Sequence, residues 1–121
     1  MSKVLIVDDE EDILDLAKIV LENAGYDVQT LSNGMHTIDL VSSFQPDLLL
    51  LDVVMPEVSG LDILRGLRRD KQTRHIKVIL FTALGREVDL MLEESDKADD
   101  YILKPFNNKE LVEKVKKTLK G

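Results

Sequence analysis

The chain has 121 residues, 44% of them apolar, which is enough for one domain with a continuous core and too little for two. It contains no cysteine, which excludes disulfides and thiolate metal sites, so any bound metal is a hard one held by oxygen. Asp and Glu number 23 against 16 Lys and Arg, and the formal charge of -7 opposes direct binding to nucleic acid or to an acidic membrane surface. No apolar run approaches the roughly 20 residues of a membrane span, and the reading is of a soluble, cytoplasmic protein.

The first predicted strand is the run KVLIV at 3–7, followed without a break by five acids, Asp8 to Asp12. Ile13, Leu16, Ala17, Val20 and Leu21 then recur at helical spacing, and Gly25 stands where a left-handed cap would stop the helix. YDVQT at 26–30 predicts the second strand, Ile38 and Val41 mark the second helix, and DLLLL at 47–51 predicts the third strand. Leu61, Ile63, Leu64 and Leu67 mark the third helix, with Ser59 as its N-cap and Gly60 allowing a close approach of backbone. KVILF at 77–81 is the fourth strand, and Val88, Met91 and Leu92 predict a fourth helix opened by Gly85. DYILK at 100–104 is the fifth strand. Asn107, with Glu110 three residues on, caps a last helix whose apolar face is Leu111, Val112, Val115 and Leu119.

Strand and helix alternate five times, the pattern of a parallel sheet covered by helices on both faces. Near-continuous Leu, Ile and Val in three of the runs suits central strands buried on both sides. In such a sheet chemistry gathers beyond the carboxyl ends of the strands, which here deliver Asp8 and Asp9, Asp52, Thr82 and Lys104. Three carboxylates held close repel one another and raise one another's pKa unless a cation offsets them. Mg²⁺ suits such a set, with positions left for water and phosphate oxygens. Glu10, Glu11 and Asp12 fall in the first helical turn, where the helix dipole favours negative charge. Taken singly, each residue has a plainer reading: Asp8 and Asp9 as helix-starting acids, Asp52 as a loop acid before Pro56, Thr82 as a strand residue, Lys104 as a solvated cation.

The motifs VDDEED, LLLLDVVMPEVSGLDIL, ILFTA and DDYILKPF, in that order along the whole chain, resemble the response-regulator receiver domain of two-component signalling. The resemblance implies one CheY-like receiver domain over residues 1–121, an α/β, (βα)5 doubly wound, flavodoxin-like fold with a five-stranded parallel sheet in the order 2-1-3-4-5. It implies a phosphoprotein rather than an enzyme, one that catalyses only its own Mg²⁺-dependent phosphorylation and dephosphorylation. Asp52 would accept the phosphoryl group from a sensor histidine kinase. Asp9 and Asp52 would ligate Mg²⁺ directly, with the backbone carbonyl of Val54 as a further ligand and Asp8 acting through water. Lys104 would pair with a phosphoryl oxygen. Thr82 would move toward the phosphoryl group, letting Tyr101 turn inward as the switch.

The implied output surface is the fourth helix, fifth strand and last helix. It would act on a downstream protein, a C-terminal output domain, or a second copy in a phosphorylation-dependent homodimer. The Lys104–Pro105 peptide is expected to be cis by the same analogy. Two positions depart from many relatives: Val54 and Leu84 are apolar where polar side chains can orient the hydrolytic water, which predicts slow self-dephosphorylation. Lys97 stands where relatives usually carry Gly, so the loop before the fifth strand is expected to differ. His36, His75, Met35, Met55 and Met91 read as packing or solvated residues. A flavin-binding flavodoxin would need phosphate-cradling donors where the five acids stand, and a haloacid-dehalogenase phosphatase would need a D-x-D nucleophile after the first strand. The remaining alternative is a phosphorylation-independent pseudo-receiver that acts as a protein-binding module.

Overall fold

A computed structural model describes residues 1–120. Five strands form one parallel sheet: β1 (Lys3–Val7), β2 (Asp27–Leu31), β3 (Leu48–Asp52), β4 (Lys77–Thr82) and β5 (Asp100–Leu103), in the order β2-β1-β3-β4-β5. The α-helices are α1 (Glu11–Asn23), α2 (Thr37–Phe44), α3 (Gly60–Arg69) and α4 (Asn108–Lys120). The flavodoxin-like topology expected from the sequence is the one observed.

Successive strand residues point to opposite faces, and the sequence supplies apolar residues to both. Leu5, Val7, Leu49, Leu51, Val78 and Leu80 face α2 and α3, packing on Val41, Phe44, Ile63, Leu64 and Leu67. Val4, Ile6, Leu48, Leu50, Ile79 and Phe81 face α1 and α4, packing on Leu14, Ala17, Leu21, Leu111 and Val115. All five residues of β3 are buried, so this strand is the centre of the molecule in both layers. Truncating one of its leucines to Ala would cost roughly 2–5 kcal/mol.

Helix ends follow local chemistry. Gly25 adopts φ +99 just past α1, and its N–H donates to the Glu22 carbonyl at 3.0 Å, closing the helix as a left-handed cap. Ser59 Oγ accepts the Leu61 N–H at 3.1 Å, and Asn107 Oδ1 accepts the Glu110 N–H at 2.7 Å.

Three details of the sequence reading change. In α1 the buried stripe is Leu14, Ala17 and Leu21, while Leu16 is exposed, because the helix is rotated to set Leu14 on the sheet. The second and third strands run one residue later than predicted, the fourth ends one residue later and the fifth one residue earlier. The expected fourth α-helix is instead a 3₁₀ segment, Gly85–Met91, followed by a short turn at Glu94–Asp96. Only Val88 of that segment, with Leu92 just beyond it, reaches the core, Leu90 and Met91 face solvent, and no side chain caps its start. One buried anchor per turn is too little to offset the cost of helix nucleation.

The segment is instead held from α3: Arg65 Nη2 donates to the Met91 carbonyl at 2.9 Å and Arg69 pairs with buried Asp96 at 2.7 Å. Arg68 donates to the carbonyls of Ile76 and Lys97 and to Asp99. Lys97 itself has φ -68, a conformation open to any residue, so this loop has no need of Gly there.

The loop between β3 and α3 carries strain. Glu57 sits at φ +70, where a side chain costs roughly 1–2 kcal/mol and glycine nothing. Glycine also gains about 0.5–1 kcal/mol of freedom in the unfolded chain, so the two effects partly offset. Glu57→Gly should therefore raise stability by less than about 1 kcal/mol, whereas β-branched Glu57→Val should lower it, both read by denaturant unfolding.

Candidate functional site

Parallel register brings the chemistry together. Val7 lies opposite Leu51, Asp52 opposite Phe81, and Thr82 opposite Leu103, so the residues at or just beyond the strand ends share one edge of the sheet. Asp8, Asp9 and Asp52 each offer a carboxylate oxygen, all within 4.8 Å of one another. Asp8 is fully buried, Asp52 is 4% exposed, and Asp9 faces solvent.

Lys104 reaches into this group from beyond β5, its backbone N–H held by the Thr82 carbonyl at 3.1 Å. Its Nζ lies 2.8 Å from Asp8 Oδ2, 3.4 Å from Asp52 Oδ1 and 3.5 Å from Glu10 Oε1. The Lys104–Pro105 peptide is cis. Backbone N–H groups fix the acids: Glu10 N–H donates to Asp8 Oδ1 at 2.9 Å, and Val54 N–H to Asp52 Oδ1 at 3.3 Å. Gly60 seals the back of the site, since a Cβ there would stand 2.0 Å from the Asp52 carbonyl oxygen.

One cation among these acids leaves charge unrelieved. Burial first, then the charge of Asp8, pushes the Asp52 carboxyl up to about 7, against the opposing pull of Lys104. Burial also works against the Lys104 ammonium, but close contact with Asp8 and the charges of Asp8 and Asp52 outweigh it and raise its pKa. Asp8 Oδ2, despite its ion pair with Lys104, has no aligned hydrogen-bond donor. A buried carboxylate oxygen without a donor, beside two more hard oxygen ligands, fits a divalent cation such as Mg²⁺.

Thr82 is 4% exposed at the end of β4, and its Oγ1 accepts the Leu84 N–H at 2.9 Å. Tyr101 is 4% exposed, in the core layer toward α2 and α3. The sequence reading had it turning inward only after Thr82 moves, yet it is inward here, because its hydroxyl donates to Asp89 of the 3₁₀ segment while the Arg86 guanidinium lies 5.1 Å over its ring. Val54 and Leu84 border the site as exposed apolar residues, 77% and 44% accessible.

Sequence reasoning missed three participants. Asp89 and Arg86 come from a segment read as regular helix, and nothing in their spacing pairs them with Tyr101. Glu10 was assigned to the first turn of α1, but it precedes the helix at φ -92, ψ 107, makes no side-chain cap, and turns toward Lys104.

Comparison with known proteins agrees with this fold. The family model described as "Response regulator receiver domain" matches residues 4–116. The DNA-binding dual master transcriptional regulator RpaA of Synechocystis is 42% identical over 120 residues, 99% of this chain and 50% of that protein. The transcriptional regulatory protein CpxR of Escherichia coli K12 shows the same identity and coverage. The chain thus spans about half the length of the curated relatives it matches. Among solved structures, chemotaxis response regulator CheY4 of Vibrio cholerae superposes with TM-score 0.89 at 26% identity, covering 98% of both chains. The signal receiver domain of a signal transduction histidine kinase from Syntrophus aciditrophicus gives TM-score 0.89 at 36% identity, covering 100% of this chain and 92% of that one.

The raised Asp52 pKa carries a sign for stability. A carboxyl whose folded pKa exceeds its unfolded value favours the fold below the unfolded pKa of 3.8 and loses that contribution as pH rises to about 7. Without metal, Asp52→Asn should be more stable than the parent near pH 8, on the order of 2 kcal/mol, with the gap narrowing toward pH 4.5. Denaturant titrations in chelator at the two pH values check this.

Proposed function

Because the chain belongs to the response regulator receiver domain family of two-component signalling, we propose that it accepts a phosphoryl group on Asp52 from a sensor histidine kinase and switches an output surface in response. The observation that carries this reading is the convergence of Asp8, Asp9 and Asp52 with Lys104 on one sheet edge. Asp9 and Asp52 would hold Mg²⁺ directly with the Val54 carbonyl, and Asp8 through water. Bound there, Mg²⁺ would offset the carboxylate repulsion and the charge that builds up on the transferring phosphoryl group.

An oxygen of ionised Asp52 attacks the phosphorus of a phosphohistidine, the P–N bond breaks, and its electron pair leaves with the imidazole. Lys104 pairs with a phosphoryl oxygen, as an anionic nucleophile meeting an anionic group requires. The Thr82 hydroxyl accepts from Leu84 N–H, which leaves its own hydrogen to be donated to the phosphoryl group.

The switch lies between Thr82, Tyr101 and the 3₁₀ segment. Phosphorylation biases it only through contacts that differ between two states, and Thr82 supplies such a contact. Leu90, Met91 and Leu103 leave apolar side chains exposed on the surface formed by the segment, β5 and α4. This surface would act on a downstream protein or output domain, or join two phosphorylated copies. A cytoplasmic location follows from the kinase partner, and no helix among the described residues is long and apolar enough to cross a membrane. The second reading, a phosphorylation-independent binding module, draws on one observation: Tyr101 is already inward and tied to Asp89.

Beryllofluoride, a phosphoryl mimic, separates the two readings. Mg²⁺ alone should raise the melting temperature, beryllofluoride with Mg²⁺ should raise it further, and Asp52→Asn should lose the second increment. Identical responses in the two proteins would refute the phosphoacceptor assignment, and no response in either would favour the binding module. Val54 and Leu84 offer no polar group to orient a hydrolytic water. The phosphorylated domain, followed by loss of radiolabel, should accordingly decay slowly; a half-life of seconds would contradict this.

A further inference from the structure

Glu10 is the one acid of the opening run whose placement neither the helix dipole nor the metal site explains. Its backbone is fixed on both sides: its N–H donates to Asp8 Oδ1, and its carbonyl accepts the N–H groups of Ile13 and Leu14. Its carboxylate, however, leaves its own helix uncapped and lies 3.5 Å from the Lys104 ammonium at the mouth of the site. An ammonium has three donors. Here three carboxylates surround it: buried Asp8 at 2.8 Å, buried Asp52 at 3.4 Å and solvent-facing Glu10 at 3.5 Å. Only the Glu10 contact has hydrogen-bond geometry, whereas Asp8 Oδ2 has no aligned donor, so Glu10 is the carboxylate that aims the ammonium.

We propose that Glu10 is a positioning residue that holds Lys104 in its resting place and must release it before the ammonium can take a phosphoryl oxygen. The inference rests on the phosphoacceptor reading and names the contact that gives way. Of the three contacts, the one to Glu10 is the longest, and its carboxylate alone has water to replace the lost partner, with a side chain 61% exposed against 0% for Asp8 and 6% for Asp52. Glu10 therefore restrains phosphorylation: its hydrogen bond holds the ammonium toward the solvent-facing carboxylate, and its charge repels the incoming phosphoryl group.

The test compares beryllofluoride affinity and the acetyl phosphate reaction rate at saturating Mg²⁺ in the parent and three variants. Glu10→Gln removes the charge, and Glu10→Asp keeps it while shortening the reach. Glu11→Gln removes an equal charge one residue away that makes no contact with Lys104. An exposed ion pair of this kind corresponds to roughly two- to five-fold in an equilibrium or rate. Glu10→Gln should tighten beryllofluoride and speed phosphorylation by about that factor, Glu10→Asp should follow in the same direction, and Glu11→Gln should stay within error of the parent. A merely structural role would shift melting temperature without shifting beryllofluoride affinity. An equal gain in Glu11→Gln would overturn the proposal in favour of the general field of the acids. So would unchanged or weaker binding in Glu10→Gln. If the parent fails to bind beryllofluoride, the phosphoacceptor reading falls and this inference with it, whereas a parent that binds no differently from Glu10→Gln removes only the role of Glu10.

Discussion

The ion pair between Lys104 and Asp8 joins the two ends of the chain at the sheet edge, and the site takes its character from it. Asp8 comes from the first strand and Lys104 from beyond the last, so the contact forms only when all five strands are in register. A fully buried carboxylate would be untenable alone, and the ammonium makes it tolerable without satisfying it. The same ammonium reaches Asp52 and Glu10, so one positive charge is divided among acids that together exceed it. The raised pKa of Asp52 and the unserved oxygen of Asp8 are two expressions of that shortage. A site poor in positive charge is one prepared to receive some.

Much of this architecture was legible in the sequence because its causes are local or periodic. Leu48 to Leu51 could only be a strand buried on both faces, and Gly25, Ser59 and Asn107 announced helix ends through their own backbone chemistry. The carboxyl-edge residues were found because parallel strands align their ends whatever the side chains are. The failures share a different cause. Leu14 and Leu16 satisfy the helical period almost equally well, and only the rotation imposed by the sheet separates them. Val88, Met91 and Leu92 have helical spacing, but Met91 found nothing to pack against. Glu10, Asp89 and Arg86 act on partners from other parts of the chain, and the orientation of a long side chain across a site is not encoded by its neighbours in sequence.

Helix α3 has two unlike ends. At its start, Gly60 lies so close to the Asp52 carbonyl that no side chain could be accommodated. Toward its end, Arg65, Arg68 and Arg69 hold the stretch from Met91 to Asp99 through carbonyls and carboxylates. The stretch that failed to become a regular helix is thus anchored largely by side chains from a neighbour rather than by its own backbone ladder. Polar contacts at a surface can be exchanged at little cost, whereas an apolar core tends to keep one arrangement.

The complete burial of β3 sets the terms on which any message leaves the site. Asp52 is the last residue of the most enclosed strand, so the proposed nucleophile is mounted on a part of the molecule packed on both faces. A force applied there meets an anvil. It would pass instead to less tightly packed structure, and the 3₁₀ segment adjoining the site has one fully buried side chain and borrowed anchors. On the proposed function, signal direction would thus follow packing: the chemistry would be fixed to the enclosed member, and any displacement would appear in its sparsely anchored neighbour.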